Sequence, residues 1–290
     1  MNGIILVDKP QDWTSHDVVA KLRGVLHERR IGHSGTLDPL ATGLLVAFVG
    51  RATRAVEFAE ADCKEYIAGL HLGVSTDTQD ITGNIVASSG ALPDEAALRE
   101  AIGRFIGDIE QIPPMYSAIK IGGKKLYELA RRGESVERAP RKITVSAIDI
   151  AGRDGDDYIL NISCSKGTYV RTLCSDIGEA LGCGACMSSL RRTRAGVFSV
   201  DDAHSLADIE AAVREGRLSD IILPVDTLFA SFPKLTVSQS AAKRLKNGNI
   251  IKISAEDGEY KVYSDSDEFL LLGRVECGKL KTIKSFYEVS

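Results

Sequence analysis

Several absences narrow the reading of this 290-residue chain before any motif is considered. No apolar run approaches the ~18 residues a membrane span requires, and the best, Leu44 to Val49, is strand-sized. Cysteines are sparse, at positions 63, 164, 174, 183, 186 and 277, so a disulfide-stapled scaffold is a poor reading. Neither an internal repeat nor a low-complexity tract is present, which sets aside solenoids and disordered linkers. The chain opens Met-Asn-Gly-Ile-Ile-Leu-Val-Asp-Lys-Pro, without a basic leader or small-residue cleavage site, so a soluble, cytoplasmic protein is expected. Aromatics are only 6%, but 44% hydrophobic and 26% charged residues make an ordinary globular composition. A chain of this length buries roughly 75% of its unfolded surface, enough for one large core and a small satellite domain.

Metal and nucleotide signatures are also thin. Cys183-Gly184-Ala185-Cys186 is a CxxC with His204 downstream, but a structural zinc needs a second close ligand pair. Buried or idle thiols are the simpler reading. Lys166-Gly167-Thr168 leads into a helix, yet the Gly-x4-Gly-Lys pattern of a P-loop is missing. Use of ATP or GTP is therefore not expected.

What is present is a sorted charge distribution. The net charge is −4, which alone argues weakly against a nucleic-acid partner. Residues 60–110 carry ten acids against three bases, whereas residues 115–145 carry eight bases against three acids. Arg191, Arg192 and Arg194 follow in a stretch free of acids. A polyanion responds to the local field and not to the average, so composition permits RNA or DNA without demanding it. A solvated basic face fits the same charges.

Hydrophobic periodicity lays out the elements. Gly3–Val7 reads as a strand, and Thr14 or Ser15 caps a helix whose Val18, Val19, Leu22, Val25 and Leu26 share a face. Residues 30–43 read as a loop before a strand at Leu44–Val49. Lys64–Leu72 alternates as a strand, Asp80–Asn84 turns, and Asp94–Phe105 is helical with Leu98, Ile102 and Phe105 inward. Ile112-Pro113-Pro114 breaks the pattern before a hairpin over Gly122-Gly123 and a short helix stopped at Gly133. A second hairpin spans Lys142–Ile150 and Tyr158–Ser163, then a helix carries Val170, Leu173, Ile177 and Leu181. A polar helix near Ser205–Val213 precedes a connector bracketed by Pro224 and Pro233, and the tail reads as short strands with Gly turns. The pattern is that of an α/β or α+β protein with a small C-terminal domain.

The stretch from Gly32 to Gly43, Gly-His-Ser-Gly-Thr-Leu-Asp-Pro-Leu-Ala-Thr-Gly, is the most informative. Its three glycines allow close approach of the backbone to another surface or positive φ, and Pro39 biases Asp38 toward extended geometry. A carboxylate so placed is presented on a stiff platform between a helix and a strand. An Asx turn, with Asp38 capping its own backbone, accounts for the same residues.

Four motifs in order then resemble the TruB family of bacterial tRNA pseudouridine synthases, through nearly the whole chain. They are Leu6-Val7-Asp8-Lys9-Pro10 with Thr14-Ser15-His16-Asp17, the Gly32–Gly43 loop, Pro113-Pro114-Met115-Tyr116-Ser117-Ala118 with Gly123-Lys124-Lys125-Leu126-Tyr127, and Ser165-Lys166-Gly167-Thr168-Tyr169-Val170-Arg171-Thr172-Leu173. The one visible departure is Ser34, where family loops often carry threonine, and it keeps the hydroxyl. The resemblance implies an α+β fold: a mixed, largely antiparallel sheet flanked by helices, forming a catalytic domain over residues 1–230. It also implies a basic thumb-like insertion at about 114–142 and a small β-rich, PUA-like RNA-binding domain over 231–290.

It further implies isomerisation of uridine 55 in the tRNA T loop, with Asp38 as nucleophile. Tyr66 would lie against the flipped base, Arg171 would pair with Asp38, and Tyr169 would line the pocket. Asp80 would hold flipped nucleotides, His33 would insert into the T loop, and Leu190 would line the pocket. Uridine and pseudouridine differ by exchange of the C1′–N1 bond for C1′–C5, with no redox change, so neither metal nor cofactor is implied. An ionised aspartate suits the nucleophile role, a neighbouring arginine aims it, and a flipped base stacks on an aromatic face. Attack at C6, attack at C1′ and a glycal route all fit these residues. The thumb cations would meet phosphates. The implied partner is the T-arm stem-loop of tRNA, with no DNA and no membrane, and a monomer is expected. A tRNA-binding folding chaperone whose catalysis is secondary is the competing reading, and the presence of Asp38, Tyr66 and Arg171 together favours the enzyme.

Overall fold

The computed structural model describes residues 1–59 and 63–287, so Glu60 and Asp62 of the acidic stretch lie outside the described residues. The first elements are β1 (Gly3–Lys9), α1 (Ser15–Leu26), β2 (Ile31–Ser34), β3 (Thr42–Val49) and β4 (Lys64–Leu72). A small hairpin of β5 (Val74–Thr76) and β6 (Ile85–Ser88) follows, then α2 (Glu95–Gly103) and β7 (Gly107–Gln111). The basic segment holds β8 (Lys120–Ile121), β9 (Lys124–Lys125) and α3 (Leu126–Ala130). Next come β10 (Arg141–Asp154), β11 (Asp157–Cys164), α4 (Val170–Ala180), β12 (Ala185–Ala195), β13 (Phe198–Ser199) and α5 (Leu206–Arg214). The tail comprises β14 (Lys234–Val237), α6 (Gln239–Lys246), β15 (Ile251–Lys252), β16 (Gly258–Ser264), β17 (Phe269–Glu276) and β18 (Lys279–Ser285).

The large sheet runs β1-β3-β12-β4-β11-β10-β7, with β2 beside β3 and β13 beside β12. Its pairs are antiparallel except for β12 against β3, so the expected mixed, largely antiparallel α+β sheet is what forms. A second sheet, β14-β16-β17-β18-β15, is built wholly from the tail.

β1 and β3 read as unbroken apolar runs because both faces are covered. On one side Ile5, Val7, Leu45 and Ala47 pack against Val18 and Leu22 of α1 and Ile209 of α5. On the other, Ile4, Leu6, Leu44 and Phe48 join Phe229, Leu272 and Phe286, so one cluster runs from the large sheet into the second. Helix α1 starts where expected: the Thr14 hydroxyl accepts from the Asp17 amide at 3.0 Å while the Asp17 carboxylate accepts from the Thr14 amide at 2.9 Å. This reciprocal cap satisfies two amides that the first turn leaves unpaired.

Four elements depart from the sequence reading, the short edge strand β7 among them. Residues 31–34 belong to strand β2 and not to the loop, because Ile31 and Ser34 are buried and their backbone pairs with Val46–Val49. β12, absent from the periodicity, is the strand that joins the two halves of the large sheet. Two register shifts against β4 break its alternation, between Met187 and Ser189 and between Arg192 and Arg194. The tail also contains helix α6, capped by Ser238, and is not made of strands alone.

Phe229 is 2% exposed and meets Phe58, Phe232, Phe269 and Phe286 at ring-centroid distances of 5.5 to 6.1 Å. Phe229→Ala is expected to cost about 3–5 kcal/mol, the usual loss for a buried aromatic. Urea melts check this, and a change confined to a few tenths would show that the two sheets do not share this core.

Candidate active site

The loop 35–41 leaves the sheet at a structural seam. One edge of β3 pairs with β2 over Val46–Val49 and with β12 at Thr42 and Gly43, and the loop emerges between them. Leu37 and Ala41 turn into the core, 3% and 0% exposed, and anchor the loop on either side of Asp38. The backbone of Leu37 is pinned by Ser15, whose hydroxyl accepts from its amide at 2.9 Å and donates to its carbonyl at 3.1 Å. On the other side, the Pro39 carbonyl accepts from the Asp12 amide at 2.8 Å and from Lys9 Nζ at 3.4 Å. Lys9 is fully buried, donates also to the carbonyls of Pro10 and Trp13, and burial pushes its amine down to about 8. The backbone around Asp38 is therefore fastened from α1 and from β1, and its carboxylate remains 41% exposed.

Arg171 reaches this carboxylate from the first turn of α4. Its Nη1 lies 3.3 Å from Asp38 Oδ2 and 3.7 Å from Asp80 Oδ2, and its side chain is 7% exposed. Nη2 donates to the Tyr116 carbonyl, and the guanidinium lies 6.0 Å from the Tyr169 ring centroid. Among the described residues the Nε–H has no partner. Asp80 is held in turn by its own loop: Oδ1 accepts from the Thr78 hydroxyl at 2.9 Å and from the Thr82 amide at 3.0 Å. The Ile81 amide donates to the Met187 carbonyl at 2.9 Å, which ties that loop to β12.

Tyr66 stands on β4 in register with Arg192 of β12. It is 8% exposed, its phenol is set against the Arg192 guanidinium, and burial pushes that phenol above the ordinary value. Leu190 packs half-buried on the cluster that holds Leu37, Ala41 and Tyr66. Tyr169 caps α4, and Gln111 of β7 grips its backbone, donating to the carbonyl at 3.1 Å and accepting from the amide at 2.8 Å. His33, near the end of β2, has an Nδ1 without a partner among the described residues and an edge-on contact with His16, centroids 5.9 Å apart. The structure thus gathers Asp38, Arg171, Asp80 and Tyr169 directly and sets Tyr66 and Leu190 on the adjoining strands.

Comparison with known proteins places the chain in a family. Residues 23–170 match the TruB family pseudouridylate synthase N-terminal domain, and residues 171–230 match the tRNA pseudouridylate synthase B C-terminal domain. The tRNA pseudouridine synthase B of Clostridium kluyveri is 38% identical over 99% of this chain and 100% of its own length. That of Alkaliphilus oremlandii is 46% identical over 87% of this chain and 83% of its own. The chain belongs to the TruB family. A solved H/ACA ribonucleoprotein bound to a substrate RNA containing 2′-deoxyuridine superposes with TM-score 0.74 at 26% identity, covering 99% of this chain and 85% of that one. The Cbf5–Nop10–Gar1 complex superposes equally well at 28% identity, covering 98% and 85%. Both confirm a pseudouridine synthase fold, and the chain is an isomerase of the TruB family.

The TruB-family site rests on residues that the sequence reading passed over or misplaced. Arg192 counted as an exposed cation, yet it is 1% exposed, and Arg191 is paired with Asp8 at 2.8 Å. Only an unbroken strand pairing could have shown that Arg192 faces inward. Ser15, Lys9 and Gln111 were likewise invisible as site supports, since each acts on a backbone group distant in sequence. The Cys183 and Cys186 thiols are buried, and among the described residues no cluster of three or more His, Cys, Asp or Glu is gathered.

His33 supplies a pH test of this geometry. Burial pushes its imidazole from 6.5 down to about 4, with the positive charges of His16 and Arg192 adding to the effect. Between those values the unfolded chain binds a proton that the folded chain refuses, so folding stability declines as pH falls through that window. His33→Gln is expected to flatten this decline in urea melts, and equal declines in both proteins would show that the imidazole is not desolvated.

Proposed function

We propose that this TruB-family chain converts uridine to pseudouridine at position 55 in the T loop of tRNA, with Asp38 as nucleophile. The observation that carries the reading is the Arg171–Asp38 pair at 3.3 Å, set on a loop fastened at both ends. An arginine at that distance restricts the direction of a carboxylate, which is what a nucleophile for a flipped nucleotide requires. Tyr66 would stack on the base, Tyr169 and Leu190 would line its pocket, and Asp80 would help hold the flipped nucleotides while it fixes Arg171. His33 would enter the space vacated in the T loop. The reaction needs no cofactor in this reading, since the carbon–nitrogen bond broken and the carbon–carbon bond formed leave the oxidation level unchanged. The curated relatives named as tRNA pseudouridine synthase B support tRNA as the substrate.

The thumb at about 114–142 would close over the RNA. Among the described residues none of its eight cations is ion-paired to a carboxylate. The reading also places a small C-terminal domain from residue 231, supported by a second sheet that begins at Lys234.

The deciding experiment uses unmodified tRNA transcript tritiated at C5 of uridine, since isomerisation releases that tritium to water. Wild type is expected to release one equivalent and Asp38→Asn none, with filter binding alike for both. Binding without release from either would overturn the enzyme reading and favour the chaperone. For the thumb, replacing Lys124 and Lys125 by glutamine is expected to lower the slope of log affinity against log salt by about one for each phosphate no longer neutralised. An unchanged slope would remove these lysines from the RNA interface.

A further inference from the structure

Among the described residues Arg192 is the largest fully buried side chain, and no described carboxylate is set against it. A guanidinium taken out of water without a counter-ion is costly, and an apolar side chain would fill the same place in a strand at less cost. Its fork instead faces three separate segments. Nε donates to the Leu44 carbonyl at 2.7 Å, Nη2 donates to the Gly35 carbonyl at 3.0 Å, and Tyr66, its register partner on β4, sets its phenol against the same guanidinium. Gly35 and Leu44 bracket the loop that presents Asp38, and Tyr66 is the aromatic residue beside it.

The backbone is shaped for this arrangement. Tyr66, Arg192 and Gly43 are register partners across β4, β12 and β3. A Cβ on Gly43 would lie 2.3 Å from the Arg192 carbonyl oxygen, and one on Gly35, at φ +71, would lie 3.0 Å from Lys64 Nζ and 3.2 Å from Nη1. Gly43 thus lets β3 close on the β12 backbone, and Gly35 leaves room for the guanidinium. A guanidinium only donates, so a phenol set against it is favoured with its oxygen, and not its proton, toward the fork.

We propose that Arg192 is a positioning residue for the reaction, locking the Tyr66 hydroxyl to both ends of the Asp38 loop. The inference rests on the pseudouridine synthase reading above. A lysine keeps the charge but is a compact point donor and does not span three acceptors with fixed directions. Arg192→Lys is therefore expected to lower the single-turnover rate about 100-fold, the loss typical of an ångström of misplacement. RNA affinity should stay close to wild type. In a Tyr66→Phe background the same substitution should cost far less, because the hydroxyl it acts through is already gone.

The assay is tritium release at saturating RNA, with filter binding and thermal melts on the same preparations. A wild-type rate in folded Arg192→Lys, or losses that multiply in the double variant, would overturn the proposal. If Arg192→Lys does not fold, Gly35→Ala tests the same lock by pressing a methyl group against Nη1. It should lose rate without losing affinity, and a wild-type rate would again overturn the proposal. Absence of release from the wild-type protein would instead reject the underlying reaction, so the two failures are distinguishable.

Discussion

Arg171 sits between two carboxylates that are not equivalent, and the geometry of the site depends on that difference. Asp80 is 7% exposed and its Oδ1 is filled by donors of its own turn, so its remaining oxygen is a fixed point. Asp38 is 41% exposed and has no such cage. The buried acid therefore anchors the guanidinium, and the guanidinium in turn directs the exposed acid. A lone arginine beside Asp38 would bear an uncompensated charge when the pocket dries, whereas the second carboxylate balances it before any ligand arrives. Supports further out serve the same end: Gln111 holds the α4 N-terminus through Tyr169, and Gln79 accepts from Thr172 in the next position of that helix.

The fold explains why the exposed acid can be stiff. A loop of seven residues on a surface would normally wander, but this one is short of freedom at each end. It leaves the sheet where β12 replaces β2 along β3, and it returns through two residues that sink into the core. Its carbonyls are then taken by side chains from segments before it in sequence, Lys9 and Ser15. Such rigidity comes from doubly covered strands, since β1 and β3 are packed on one face by helices and on the other by the second sheet. Precise placement of a reacting group on a loop requires that kind of support beneath it.

Much of this was legible in the sequence, and the parts that were not share a physical cause. β1, α1, β4 and the β10–β11 hairpin were read correctly, because each carries a regular apolar period with a cap or a turn at its end. β12 was missed because its bulges move successive side chains out of phase, so Ala-Cys-Met-Ser-Ser-Leu-Arg-Arg-Thr-Arg-Ala fits neither template. β7 was missed as a short edge strand whose acids face solvent. In the site, the resemblance named Asp38, Asp80, Tyr169 and Arg171, and the structure brings these four side chains close to one another. Arg192 was misread for a sound reason: arginine is rarely buried without a partner, so an acid-free run of three suggested a surface.

That misreading bears on how a chain of net charge −4 keeps a usable positive field. The cations fall into three groups with different work. In the C-terminal sheet, Lys234, Lys246, Arg274, Lys281 and Lys284 are each matched to a carboxylate, so their charges cancel locally. Within the core, Arg192 and Lys9 donate to backbone carbonyls and act on placement, not on encounter. The thumb presents a run of bases that no described carboxylate neutralises, and Lys125 and Arg131 flank the Tyr127 ring within 5.5 Å of its centroid. Since screened charges act within about a Debye length of ~8–10 Å, a polyanion would feel the thumb and little of the average. Net charge is thus a poor guide here, because the acids and bases that cancel in the sum do not cancel in space.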